Sequence, residues 1–320
     1  MNGTKPYFPE VDIVKGITIL LVVLGHSFCQ YPMDLNSQFP VLGEWVRSFQ
    51  MPLFFIASGF LFSFKDSFGI FLRKKGSRLL LPMFVFGLAS LCLKYIFSSF
   101  THSGNISFLS GLYDIVQGHY YWFLYALMII MVACRVIRNG KILVLLSVAS
   151  IMCCLFTDVK EVSAFDLGRI IYYFPFFVLG YYFRLKYSVL SEYPKAVFVC
   201  IILTLLLYVL SMQVYDVKIA QLYAVTLFGS AFTWGISVLL SKIGSMSVLR
   251  HFGHYSLQYY LNHLLIMLPV YYAVNVLISP NLPGLQLLSV WIIGVAISWV
   301  MLQIERRIKL LRVLCGMPNN

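Results

Sequence analysis

Apolar residues along this chain neither alternate nor keep to one narrow helical stripe. They continue in long runs, and at a rise of 1.5 Å per residue a run of about 20 crosses a ~30 Å hydrocarbon core. Ten such runs predict helices at approximately 12–30, 42–64, 79–97, 119–136, 142–157, 167–184, 196–215, 219–240, 254–278 and 285–305, the fifth and sixth being short. The longest outer connection, about 98–118, contains SFLSGLYDIVQG, which reads as a short amphipathic helix lying on the membrane or as a plain loop. Pro52, Pro82, Pro175 and Pro269 fall within or at the edges of runs, where a kink opens a cavity if neighbouring groups satisfy the freed carbonyls. No appended soluble domain, low-complexity stretch or internal repeat interrupts the pattern. Residues 1–320 are therefore expected to form one all-α polytopic membrane domain of about ten transmembrane helices.

Composition agrees. With 60% hydrophobic and 11% charged residues and a mean hydropathy of +0.84, the chain lacks the roughly one quarter of charged residues that a soluble surface needs. Lysine and arginine test the topology, because they accumulate on the cytoplasmic side. If the N-terminus lies inside, 19 of the 24 basic residues fall in inner segments, and only Arg47, Lys94, Lys160, Arg169 and Lys218 fall outside. Both termini are thus expected in the cytoplasm. The net charge of +12 is spread through short loops, which argues for topology rather than a nucleic-acid partner. The seven cysteines lie mostly within apolar runs, are odd in number and lack metal-ligand spacing, so neither a disulfide framework nor a metal site is expected. The first run has no small-residue cleavage site and is expected to be retained.

Against this background the ionisable residues inside the runs carry the chemistry. Lys15 and His26 are eleven residues apart, so on a helix they share nearly one face. That separation places the imidazole about 16 Å deeper than the ammonium. Ionisable groups within a membrane usually face a pathway or reaction site, which favours a functional His26; the alternative is a histidine bonded to a neighbouring helix. Asp12 precedes Lys15 by one turn and is placed to orient it. His263 lies thirteen residues beyond Arg250, about 20 Å along the helix and near the depth of His26. The two rings either flank one cavity or His263 pairs with another helix.

Arg73, Lys74, Lys75 and Arg78 in FLRKKGSRLLLP, with Lys65 nearby, suit a polyanion, although topology and anionic lipid account for them equally. The K-x-x-R spacing puts Lys75 and Arg78 on one helical face before Pro82, an arrangement that phosphates favour. His251 and His254 have i, i+3 spacing but no third ligand. His119 and Trp122 in HYYWFLYALM read as interface anchors or as a platform for a sugar ring, and Glu305 beside Arg306 and Arg307 reads as an interfacial salt bridge.

These residues also form a recognisable series. DIVKGITILLVVLGH resembles the opening of the membrane-bound acyltransferase-3 family, whose first span carries an R/K-x10-H motif, filled here by Lys15 and His26. MPLFFIASGFLF is similar to that family's second-span signature, KKGSRLLLP to its basic R/K-x-x-R segment and WFLYALM to its fourth-span start. GHYSLQYYLNH is similar to its late S-x-x-x-Y-x-x-H stretch, through Ser256, Tyr260 and His263. Lysine stands at 15 and 75, where the family more often has arginine. The resemblance runs from about residue 9 to 310, and the D-x-x-K-G opening looks most like the fucose-acetylase-type sugar O-acetyltransferases.

The resemblance implies a multi-pass enzyme of the bacterial inner membrane. It would transfer an acyl group, usually acetyl from cytoplasmic acetyl-CoA, to a hydroxyl of an envelope or capsular sugar or its lipid-linked precursor. His26 would act as general base or acyl carrier with Lys15 beside it in the catalytic motif, and Lys75, Arg78, Arg73 and Lys74 would hold the donor's phosphates. Asp12, His119, Trp122, Tyr260, His263 and Glu305 would support the site or bind the acceptor, without a metal. The competing reading is a polysaccharide or lipid transporter or flippase, which also explains ten spans and buried ionisable groups. The absence of a two-half repeat, and of the intramembrane carboxylates common in proton-coupled carriers, counts against it.

Overall fold

In the computed structural model, residues 7–30, 33–96, 107–157, 164–191, 202, 218–244 and 246–318 are described. Their long elements are helices: α1 (Pro9–His26), α2 (Pro40–Phe60), α3 (Phe68–Lys75), α4 (Leu81–Ile96), α5 (Phe108–Val116), α6 (Trp122–Ile137), α7 (Gly140–Phe156), α8 (Leu167–Ser191), α9 (Lys218–Ile243), α10 (Ser247–His254), α11 (Ser256–Leu277), α12 (Pro283–Arg307) and α13 (Lys309–Leu314). A two-stranded antiparallel ladder, β1 (Cys29–Gln30) with β2 (Met33–Asp34), is the sheet structure seen among the described residues.

Four segments, 68–96, 225–243, 256–277 and 283–307, are long and apolar enough to cross a membrane unaided, and α6 and α7 are shorter apolar helices. The predicted run 196–215 lies outside the described residues except for Ile202; each of the other nine runs coincides with a helix. Of the two readings of the 98–118 connection, helix or plain loop, its described residues include a helix, α5, which lies on α4 with Gly111 against Leu91 and Gly87 against Ile115.

Helix α1 begins with Pro9, whose missing N–H costs nothing in a first turn, and with Glu10 and Asp12 at the positive end of the helix dipole. It stops at His26 rather than near residue 30. The Ser27 N–H turns back to the carbonyls of Val23 and Leu24, and the chain enters the β1–β2 ladder. Neighbours surround α1: α2, α9, α10, α11 and α12 all pack on it.

Glycine sets the closest crossings. A Cβ on Gly16 would strike the Leu249 carbonyl, and one on Gly253 the Asp12 carbonyl, so α1 and α10 meet backbone to backbone. Gly59 and Gly180 do the same for α2 and α8, against Phe177 and Ile56. Close packing of small residues replaces the hydrophobic drive that lipid does not supply. Pro52 lies inside α2 and leaves the Ser48 carbonyl without its i+4 donor; the Thr226 hydroxyl of α9 donates to that carbonyl at 2.8 Å. Between α2, α6 and α8 an aromatic core forms, with Phe55 stacked on Tyr173 at 4.6 Å and edge-on to Phe123 at 5.1 Å.

Candidate active site

The two histidines of the apolar runs, His26 and His263, meet. His26 ends α1 and His263 lies about two turns into α11, with ring centroids 5.2 Å apart. His263 is completely buried, and its Nδ1 lies 2.9 Å from the Tyr259 carbonyl. A carbonyl can only accept, so Nδ1 carries the proton in the neutral ring and Nε2 keeps a lone pair. That Nε2 is buried without a hydrogen-bond partner. His26 is half-buried and thus the accessible member of the pair.

The backbone around His26 is fixed from two sides. The Tyr271 hydroxyl of α11 donates to the His26 carbonyl, one of those a helix end leaves unsatisfied. The Gln50 carboxamide lies so close to Gly25 that a Cβ there would be 2.8 Å from both its Oε1 and Nε2. Gln50 is buried and its Oε1 is unpartnered. Beyond it, Arg47 bonds Asn36 at 2.6 Å and faces the Phe28 ring at 6.0 Å.

An aromatic series leads from the histidines to the start of α6. Tyr260 lies 5.7 Å from His263 and 5.4 Å from Phe123, and Trp122 stacks on Tyr173 at 5.2 Å. Arg169 covers the Trp122 ring at 4.9 Å and pairs with Asp166 at 3.0 Å. Burial raises the Asp166 carboxyl above its ordinary range, and the charges of Arg169 and His119 offset part of this. His119 itself is 3.3 Å from Asp114. His119 and Trp122 thus belong to this rim and not to the histidine pair.

Lys15 lies about three turns before His26 on α1, bonded to Asp12 at 2.7 Å as its i, i+3 spacing predicts. Lys75 ends α3, and the following residues, Gly76–Leu80, form a π-helical turn. The one-face expectation for Lys75 and Arg78 assumes ordinary α-helical spacing, and this turn is wider. Arg78 is exposed, and its carbonyl backs onto Gly316 where the chain after α13 folds in. Arg73 and Lys74 are exposed, and Lys74 pairs with Asp66 at 3.0 Å.

Glu305 corrects a second expectation. Rather than pairing with Arg306 or Arg307, it is buried beside Asn262 and Cys315, with Oε2 unpartnered. It lines an otherwise apolar cavity of about 230 Å3 with Phe86, Leu265, Met301 and Leu314. On α10, His251 and His254 both face Tyr255, at 5.0 and 4.7 Å, with Arg306 over the same ring at 5.2 Å. Among the described residues no three His, Cys, Asp or Glu side chains are grouped to hold a metal ion.

Gln50 and Tyr271 join the site without any motif in the sequence to mark them. Their signal is an uncharged polar group inside an apolar run, which needs a partner or a purpose in lipid.

Long apolar helices around buried, partly unpaired polar side chains define an integral-membrane protein with a candidate reaction site in its interior. Residues 8–303 match the acyltransferase-3 family, described as an acyltransferase domain, and the chain belongs to that family. It is therefore a membrane acyltransferase. No curated protein and no solved structure matches it.

Proposed function

We propose that this protein moves an acetyl group from acetyl-CoA to a hydroxyl of an envelope sugar or its lipid-linked precursor, with His26 as general base. The observation that carries this reading is the contact between the accessible His26 ring and the buried His263 ring, 5.2 Å apart. In the proposed step His26 takes the acceptor hydroxyl proton as that oxygen attacks the thioester carbonyl. The tetrahedral intermediate then collapses with loss of the CoA thiolate, which takes the proton back from the imidazolium. Gln50 Oε1 offers a fixed acceptor for a donor or acceptor group beside His26. His263, held through Nδ1, keeps the second ring in place. The Lys75–Arg78 segment, with Arg73 and Lys74, attracts the donor's phosphates on the cytoplasmic side, and the Trp122 rim with His119 faces the acceptor. Lys15, neutralised by Asp12, supports α1 below the site.

Purified protein in nanodiscs, given radiolabelled acetyl-CoA and membrane glycolipid, should label the glycolipid. His26→Ala should remove labelling without loss of fold, and wild-type turnover by that variant would refute the reading. Acetyl bound to the protein in the absence of acceptor, and lost with His26→Ala, would identify an acyl-histidine route instead of direct transfer.

A further inference from the structure

Arg135 near the end of α6 is only 2% exposed, and its Nε and Nη1 donors have no hydrogen-bond partner. An arginine cannot shed its proton to escape such a place. Its neighbours make matters worse: α6 packs on α3 and on the π turn, the segment that carries Arg73, Lys74, Lys75 and Arg78. The carboxylate in the turn leading to that segment, Asp66, is engaged by Lys74. Among the described residues Arg135 has no ion pair. What it does have is the edge of an aromatic enclosure, Phe64 at 5.7 Å and Phe71 at 5.9 Å from the guanidinium. Cation–π contact at that range offsets only part of the cost of burying an unpaired charge. The guanidinium fork matches the geometry of a phosphate oxygen pair.

We propose that Arg135 is the buried ligand of a phosphate group that enters beneath the Phe68–Leu80 segment, either the nucleotide phosphate of the acyl donor or a phospholipid headgroup. The donor alternative rests on the acetyl-CoA reading above; the site itself does not.

The test uses the full chain in nanodiscs, with Arg135→Met, which removes the charge, and Arg135→Lys, which keeps it but loses the fork. Thermal unfolding is followed with CoA, with pantetheine, which has no phosphate, and with inorganic pyrophosphate, and again in phosphate-free maltoside micelles with and without added phosphatidylglycerol. CoA should protect the wild type and pantetheine should not, and Arg135→Met should need about 10- to 100-fold more CoA, the scale of a lost charge-assisted hydrogen bond. The same loss should appear in KM for acetyl-CoA. Without ligand, Arg135→Met should unfold no earlier than wild type, because an unpaired buried charge has gone. Protection by phosphatidylglycerol alone, lost in Arg135→Met, would assign the phosphate to lipid. If Arg135→Met does not fold, Arg135→Lys should fold and bind the same phosphate probe several-fold more weakly. Wild-type responses in the folded variants to every phosphate-bearing probe would overturn the proposal. If CoA protection depends on Arg135 but no acetyl transfer occurs, the reading of the reaction fails and the phosphate site stands.

Discussion

The bond from Thr226 to the Ser48 carbonyl exists because Pro52 cannot make it, which gives a prediction with an internal control. Replacing Thr226 by valine keeps the shape and so leaves little cavity, but it removes the hydroxyl that serves a carbonyl the proline has orphaned. Interhelical hydrogen bonds in membranes average about 0.6 kcal/mol and reach about 1.7. An acceptor left unpaired in a partly buried site belongs in the upper part of that range, so Thr226→Val should cost about 1–1.5 kcal/mol. In a Pro52→Ala background the restored backbone N–H bonds the Ser48 carbonyl within α2, and the same Thr226→Val change should cost less than about 0.5 kcal/mol. The double-mutant cycle therefore predicts a coupling of roughly 1 kcal/mol between residues 52 and 226. Reversible unfolding in mixed micelles, followed by denaturant titration, measures it. Equal costs in both backgrounds would show that Thr226 does not act by replacing the missing helical donor.

Three further outcomes are expected. Tyr271→Phe frees the His26 carbonyl and should lower kcat about 3- to 10-fold while KM for acetyl-CoA stays constant, as steady-state kinetics would show. Gly253→Leu drives a side chain into the Asp12 carbonyl and should destabilise the α1–α10 crossing by more than about 3 kcal/mol, visible as loss of monodisperse protein on size exclusion. Lys75→Ala with Arg78→Ala should raise KM for acetyl-CoA about tenfold, with the effect shrinking as salt is added.

What the sequence reveals, and what it hides, follows from the range of the forces involved. Hydropathy is local, so the helical runs are visible, and helical rise puts His26 and His263 at similar depths before any contact is known. The end of α1 falls short of the expected residue 30 because it depends on the return of Ser27 to Val23 and Leu24, and an apolar run does not encode a cap. Glu305 reads as a salt bridge because Arg306 and Arg307 are its sequence neighbours, yet successive helical residues point about 100° apart. Its carboxylate turns inward to Asn262 while the two arginines remain outside. The burial of Arg135, the approach of Gln50 to Gly25 and the pairing of Thr226 with Ser48 all depend on residues far along the chain, and no single-sequence pattern announces them. The π turn is equally silent, since Gly76–Leu80 would suit an ordinary helix.

The histidine pair joins the N-terminal helix to one that begins 230 residues after α1 has ended. During synthesis α1 is made early, but α9, α10, α11 and α12, which cover most of its surface, are made much later. Until α11 is made, a helix with a polar ring at its tip therefore lacks that ring's native partner, His263. A ribosome that stops anywhere before α11 releases a chain whose first helix has no permanent neighbour for that ring, a ready mark for membrane proteases.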